Sequence, residues 1–283
     1  MALNYKTAAD ILSRYDLPDF NDPAKVASYV ADFGLDDLLQ RLDEDMKAAA
    51  VDSHLHGVDP EDDIPFAPEW DDLCRLHFLA LSRRALNVME FGSGFSTAVL
   101  ASAMAILRDE FGDWATENLR VAEPFTVYSI EEDQRFADIT KRRIGRGLRP
   151  FAKIFTSSIS MAEHDLRPCT LYDNLPNVSP DLIYLDGPSQ FATNEIKRGF
   201  SFADPCRMPM AADLLAYEFF YEPGTFVLVD GRTANTEFLR AYFKRNWVHS
   251  HDPAADIHTL ELVEAPLGKF NARKMAFCLR GET

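Results

Sequence analysis

The sequence predicts an α/β fold in which helices cover a mostly parallel sheet, preceded by a helical cap at the N-terminus. Three observations carry this reading. From residue 66 onward, short apolar runs each end in polar residues or glycine: Asn87–Phe91, Phe125–Ile130, Phe151–Phe155, Asp181–Leu185 and Thr225–Val229. Helical periodicity follows most of them, over 97–107, 134–144, 210–220 and 238–243, as expected of crossover helices between parallel strands. The C-terminal stretch instead holds two strand-like runs, His258–Glu264 and Lys274–Leu279, joined by the turn-rich Ala265-Pro266-Leu267-Gly268, which predicts an antiparallel hairpin closing the sheet edge.

Upstream, residues 1 to about 65 carry only short helical patterns, 24–33 and 35–46, broken by Pro18, Pro23, Gly34 and Gly57. The acidic, proline-rich segment 59–68 reads as a connector, so the cap is assigned to 1–65 and the α/β domain to 66–283.

Composition narrows the function classes. The chain has 283 residues, 47% of them hydrophobic, which suffices for a full core. A net charge of -16, from 29 Lys+Arg against 45 Asp+Glu, repels phosphate polyanions, so a nucleic-acid partner is not expected. The densest basic run, Lys141-Arg142-Arg143 with Arg146 and Arg149, reads as a solvated helix face. The four cysteines are scattered, without C-x-x-C or zinc-ligand spacing. No secretory pattern and no apolar span of membrane length occurs, giving a cytoplasmic expectation with no membrane association.

In open α/β sheets ligands bind beyond the carboxyl ends of the strands, so the strand ends are where chemistry is sought. The first runs Glu90-Phe91-Gly92-Ser93-Gly94-Phe95-Ser96-Thr97, a strand entering a glycine turn and then a helix whose free N–H groups suit a carboxylate or phosphate. Thr97 stands where a dinucleotide fingerprint needs its third glycine, and Glu90 favours a ligand with a cationic part. The second strand ends in Ile130-Glu131-Glu132-Asp133. Glu131 is placed to accept both hydroxyls of a ribose, and Asp133 reads as the N-cap of the next helix. The third and fourth informative ends are Asp186, in Leu185-Asp186-Gly187-Pro188, and Asp230, in Val229-Asp230-Gly231-Arg232.

These motifs, in this order and with a closing hairpin, resemble the class I S-adenosylmethionine-dependent methyltransferases over roughly residues 75–283. The resemblance implies a Rossmann-like seven-stranded, mostly parallel sheet. It implies that Gly92, Gly94 and Ser96 surround the methionine part of the cofactor, with Glu90 and Ser93 also cofactor-binding, that Glu131 holds the ribose, and that Ser157 or Ser158 lies by the adenine. The paired Asp186 and Asp230 are similar to the metal ligands of catechol-type, cation-dependent O-methyltransferases. This implies a Mg2+ site, with Gly231 in place of the expected amide ligand and Asn235 as the substitute oxygen; Arg232 neutralising the two carboxylates is the alternative. Asp186 and His164 are the candidate bases, and the acceptor is expected to be a small molecule or glycan. The segment 187–209, with Phe191, Lys197 and Arg198, is expected to overhang the acceptor. His54-Leu55-His56 near Glu61 is too weak a pattern for the primary metal site. A nucleotide-dependent oxidoreductase, a non-catalytic binding module and an aminopropyl transferase are the rival readings.

Overall fold

The computed structural model describes residues 4–50 and 68–283. The boundary at residue 65, the connector up to residue 67 and the His54/His56 pair lie outside the described residues.

The main sheet is built from β1 (Asn87–Phe91), β2 (Thr126–Glu131), β3 (Ala152–Thr156), β6 (Leu182–Leu185), β7 (Phe226–Asp230), β8 (Trp247–Asp252) and β9 (Ile257–Leu262). A separate hairpin, β4 (Ile159–His164) and β5 (Arg167–Tyr172), is inserted between β3 and β6. The seven strands lie in the order β3-β2-β1-β6-β7-β9-β8. The pairs from β3 through to β7 are parallel, and β9 is antiparallel to both β7 and β8. This is a Rossmann-like, mostly parallel seven-stranded sheet, as the resemblance implies. The chain order reverses between β1 and β6, so the crevice above these two strands is where a ligand is expected.

Side chains alternate between two cores, as the period of two along a strand requires. Val88, Val127, Leu182, Phe226 and Leu228 face one layer, packed with the helices Trp70–Ser82 and Phe95–Asn118. Met89, Ile130, Ile183, Val227 and Leu260 face the other. The N-terminal helices Tyr5–Leu12, Pro23–Phe33 and Leu35–Ala50 join the first core through Ile11, Phe20, Tyr29, Leu35 and Leu39. Burial depresses the His77 imidazole to about 3, so it stays neutral and pairs through Nδ1 with the Tyr29 hydroxyl at 2.9 Å, tying the cap to the helix Trp70–Ser82.

The structure corrects four sequence expectations. Lys274–Leu279 is not a strand: it lies in the helix Lys269–Arg280, where buried Asn271, Lys274, Phe277 and Cys278 recur at helical spacing. The closing hairpin is β8–β9 instead, and β8 escaped notice because Trp247-Val-His-Ser-His-Asp is largely polar and solvated. Over 210–220 a long helix does not form. Backbone bonds from Thr170 N to Met210 O and from Ala212 N to Thr170 O hold this segment along β5, leaving one α-helical turn at Asp213–Ala216 and a 3-10 turn at Glu218–Phe220. Finally, Arg143 is not solvated; it is 2% exposed, paired with Asp43 of the cap at 3.0 Å and stacked 4.0 Å over the Phe95 ring. Among the described residues no helix is long and apolar enough to cross a membrane.

Candidate functional site

A cleft of about 720 Å3 opens at the carboxyl ends of β1, β2, β6 and β7. Gly92 takes φ +103°, a conformation that disfavours side chains, and its N–H donates to Ile130 O at 2.8 Å while Ser129 Oγ donates to its carbonyl at 2.9 Å. The chain then enters the helix Phe95–Asn118. Thr97, the residue that breaks the dinucleotide pattern, accepts from Gly94 N at 3.1 Å and donates to Glu90 Oε2 at 2.6 Å. Burial pushes the Glu90 carboxyl up to about 6, opposed by the hydroxyls of Ser96, Thr97 and Ser129. A side chain at Gly94 would meet nothing within 4 Å, so this turn presents bare backbone to open space.

Glu131 lies across the turn. Its Oε2 accepts from Ser93 Oγ at 2.8 Å, and Ser93 Oγ is 3.2 Å from Thr140 Oγ1. The carboxyl is buried, and burial first, then the Glu132 charge, raises it to about 7. Asp133 is the N-cap of the helix Gln134–Arg143, as expected, accepting from Arg135 N at 2.8 Å. Glu132 turns toward the next loop and accepts from Ser189 N at 2.8 Å.

At the other end of the cleft stand Asp186 and Asp230. Asp186 is exposed to the cleft; the protein crowded around it, then the Asp230 charge, holds its carboxyl above the usual range. Burial raises Asp230 as well, against a 2.9 Å hydrogen bond donated by the Tyr184 hydroxyl to Oδ2. Gly187 lets the β6 exit approach the end of β1, since a Cβ there would lie 2.5 Å from Tyr172 Oη and 3.0 Å from Gly92 N. Arg232 does not form an ion pair with either carboxylate. Its Nη2 donates to the carbonyls of Asp186 at 2.6 Å and Pro188 at 2.7 Å, so it fixes the backbone of the β6 exit.

Two acids that strand-end reasoning missed complete this wall. Glu69 and Asp72, at the start of the helix Trp70–Ser82, bring carboxylate oxygens within 4.8 Å of Asp230. Burial and then Asp230 push Asp72 up to about 7, although Arg75 is ion-paired with it. The acidic run Glu69, Asp71, Asp72 was visible, but nothing in a helix preceding the first strand indicates that it reaches the far side of the sheet.

The remaining sequence candidates lie elsewhere. Asn235 is fully buried and its amide donates to Ala211 O at 3.0 Å, away from the cleft lining. His164, at the end of β4, packs edge-on against Tyr242 with ring centroids 4.9 Å apart. Ser157 Oγ accepts from Asn174 N at 2.9 Å, and Ser158 Oγ donates to Asp173 at 2.6 Å. Neither serine lines the cleft, whereas Phe191 of the 187–209 segment does.

No family model matches the sequence, and no curated protein matches it. Solved structures similar in outline include an O-methyltransferase from Bacillus cereus in complex with SAH, at 16% identity, covering 84% of this chain and 96% of that one with a TM-score of 0.40. Another is the O-methyltransferase TomG from Streptomyces achromogenes, involved in tomaymycin synthesis and solved with SAM, at 17% identity, covering 80% and 99% with a TM-score of 0.40. The SAH-bound methyltransferase PaMTH1 from Podospora anserina matches at 14% identity over 78% and 95%, with a TM-score of 0.44. At these values the likeness carries no functional weight, which rests on the cleft of the chain itself.

Proposed function

We propose that this chain is an S-adenosylmethionine-dependent methyltransferase acting on an oxygen atom of a small molecule or glycan. The observation that carries the proposal is that the glycine turn and Glu131 meet in one cleft, joined by the 2.8 Å bond from Ser93 to Glu131. The residues fit such a cofactor. The bare backbone at Gly94 faces open space, and Glu131 is a buried carboxylate with its proton affinity raised, so a ligand diol donating to it would relieve the cost of its burial. Glu131 is assigned to the ribose. Gly92, Ser93, Gly94 and Ser96 are assigned to the amino-acid tail, with Glu90 beneath supplying negative charge to a cationic group.

The bound cofactor would supply an electrophilic methyl group. The protein then has to hold an acceptor hydroxyl, accept its proton and exclude water. Asp186 is the residue assigned to take the proton: it faces the cleft, and its raised proton affinity brings it nearer the working range of a general base at neutral pH. Phe191 is assigned to cover the acceptor. The Mg2+ ligand set of Asp186, Asp230 and Asn235 is not assembled, because Asn235 points to Ala211, so no step is derived through a metal.

Calorimetric titration with S-adenosylhomocysteine, with NADPH run in parallel, tests the reading. Binding of S-adenosylhomocysteine alone is expected, followed by transfer of labelled methyl to a member of a panel of phenols, catechols and saccharides. Binding of NADPH without S-adenosylhomocysteine would overturn it in favour of an oxidoreductase.

A further inference from the structure

Of the histidines among the described residues, three lie together on β8 and β9 at the outer edge of the sheet. His249 and His251 are two residues apart on β8 and therefore share a face, and His251 is paired directly with His258 of β9. His249 Nε2 lies 3.0 Å from His258 Nδ1. The His251 ring lies flat on that of His258, with centroids 3.9 Å apart and planes within 8°. Thr233 Oγ1, 2.9 Å from His258 Nε2, fixes the buried ring so that Nδ1 is the nitrogen turned to His249.

We propose that His249 and His258, joined by His251, form a binding site for a borderline divalent transition metal such as Zn2+ or Cu2+. The donor set is all imidazole, which suits these ions and not Mg2+ or Ca2+. The nitrogens face each other with no carboxylate hydrogen-bonded between them, and Thr233 takes the orienting role that an outer partner plays at known metal centres. Glu237 and Asp256 act on the cluster with favourable negative charge, against Arg240. Access comes from solvent: His251 is exposed and His249 half-buried on an edge strand.

The test is Zn2+ competition against a chromophoric chelator on the full chain at neutral pH. One equivalent is expected to bind wild type, with affinity at least about 10-fold weaker in His249→Gln and reduced in His251→Gln, both solvent-facing changes that spare the core. Cu2+ paramagnetic resonance should show splitting from at least two imidazole nitrogens that collapses in His249→Gln. Thr233→Val, which leaves all three ligands in place, should weaken Zn2+ by about 10-fold. Absence of Zn2+ uptake by wild type, equal affinity in His249→Gln, or uptake lost only in Asp72→Asn with Asp230→Asn would each overturn the proposal.

Discussion

The two ends of the cleft both hold carboxylates but treat them differently. At the glycine-turn end each acid has a donor: Thr97 for Glu90, Ser93 and the Asp133 N–H for Glu131. At the β6–β7 end Asp230, Asp72 and Glu69 bring their carboxylate oxygens together beside Asp186, with Tyr184 bonded to Asp230, Arg75 paired with Asp72 and the Arg232 charge acting on Asp186. The first arrangement is the one proposed to accept a ligand's hydroxyls. The second concentrates negative charge where proton transfer is proposed, and burial with the Asp230 charge raises Asp186 and Asp72 to about 7.

Separating the two ends experimentally sharpens this contrast. The largest effect is expected at Asp186: Asp186→Asn should lower methyl transfer about 100-fold or more while S-adenosylhomocysteine affinity stays within a few-fold, read by labelled-methyl transfer beside calorimetry. Loss of affinity without loss of turnover would reverse the assignment of the two ends. Next, Gly187→Ala forces a Cβ against Tyr172 Oη and the Gly92 backbone, and should cost about 1–3 kcal/mol of stability by denaturant titration, with Tyr172→Phe restoring only part because the backbone contacts remain. Glu131→Ala should weaken S-adenosylhomocysteine by about 1–3 kcal/mol.

The pH dependence has opposite consequences at the two ends. Because Glu131 is raised to about 7 and a diol donates to its ionised form, S-adenosylhomocysteine affinity should rise between pH 6 and 8, and Glu131→Gln should flatten the profile. Asp72, also raised to about 7, binds its proton more tightly folded than unfolded, so its contribution to stability is full below about pH 4 and is lost as pH climbs through 7. Asp230→Asn removes a main cause of that shift. It should therefore raise the thermal midpoint at pH 8 relative to pH 5 by a few degrees, about 2–4 °C for each kcal/mol recovered. A midpoint difference that is the same at both pH values would remove the coupling between Asp72 and Asp230.

The parallel strands were legible because buried strands write continuous apolar runs: β1, β2, β6 and β7 fall within a residue or two of their expected bounds, and so does the largely exposed edge strand β3, through Phe151, Ile154 and Phe155. The β4–β5 hairpin was not, since its two-residue turn is Asp165-Leu166, both at positive φ, and leucine gives no sign of that conformation. The glycine turn, Glu131, Asp186 and Asp230 were legible through the strand-end rule and do line one cleft. Glu69, Asp72 and Arg143 were not, because each reaches the cleft from a helix whose packing is set by long-range contacts, such as Arg143 with Asp43 across 100 residues of sequence. Asn235 shows the converse: its chemistry suited a ligand, but the helix Thr233–Tyr242 turns it inward to Ala211.

The most direct test is a crystal structure of the protein with S-adenosylhomocysteine. The ribose hydroxyls should donate to the Glu131 carboxylate while the amino-acid tail lies along Gly92–Ser96. A ligand bound elsewhere, with Glu131 still held only by Ser93 and the Asp133 N–H, would contradict the account.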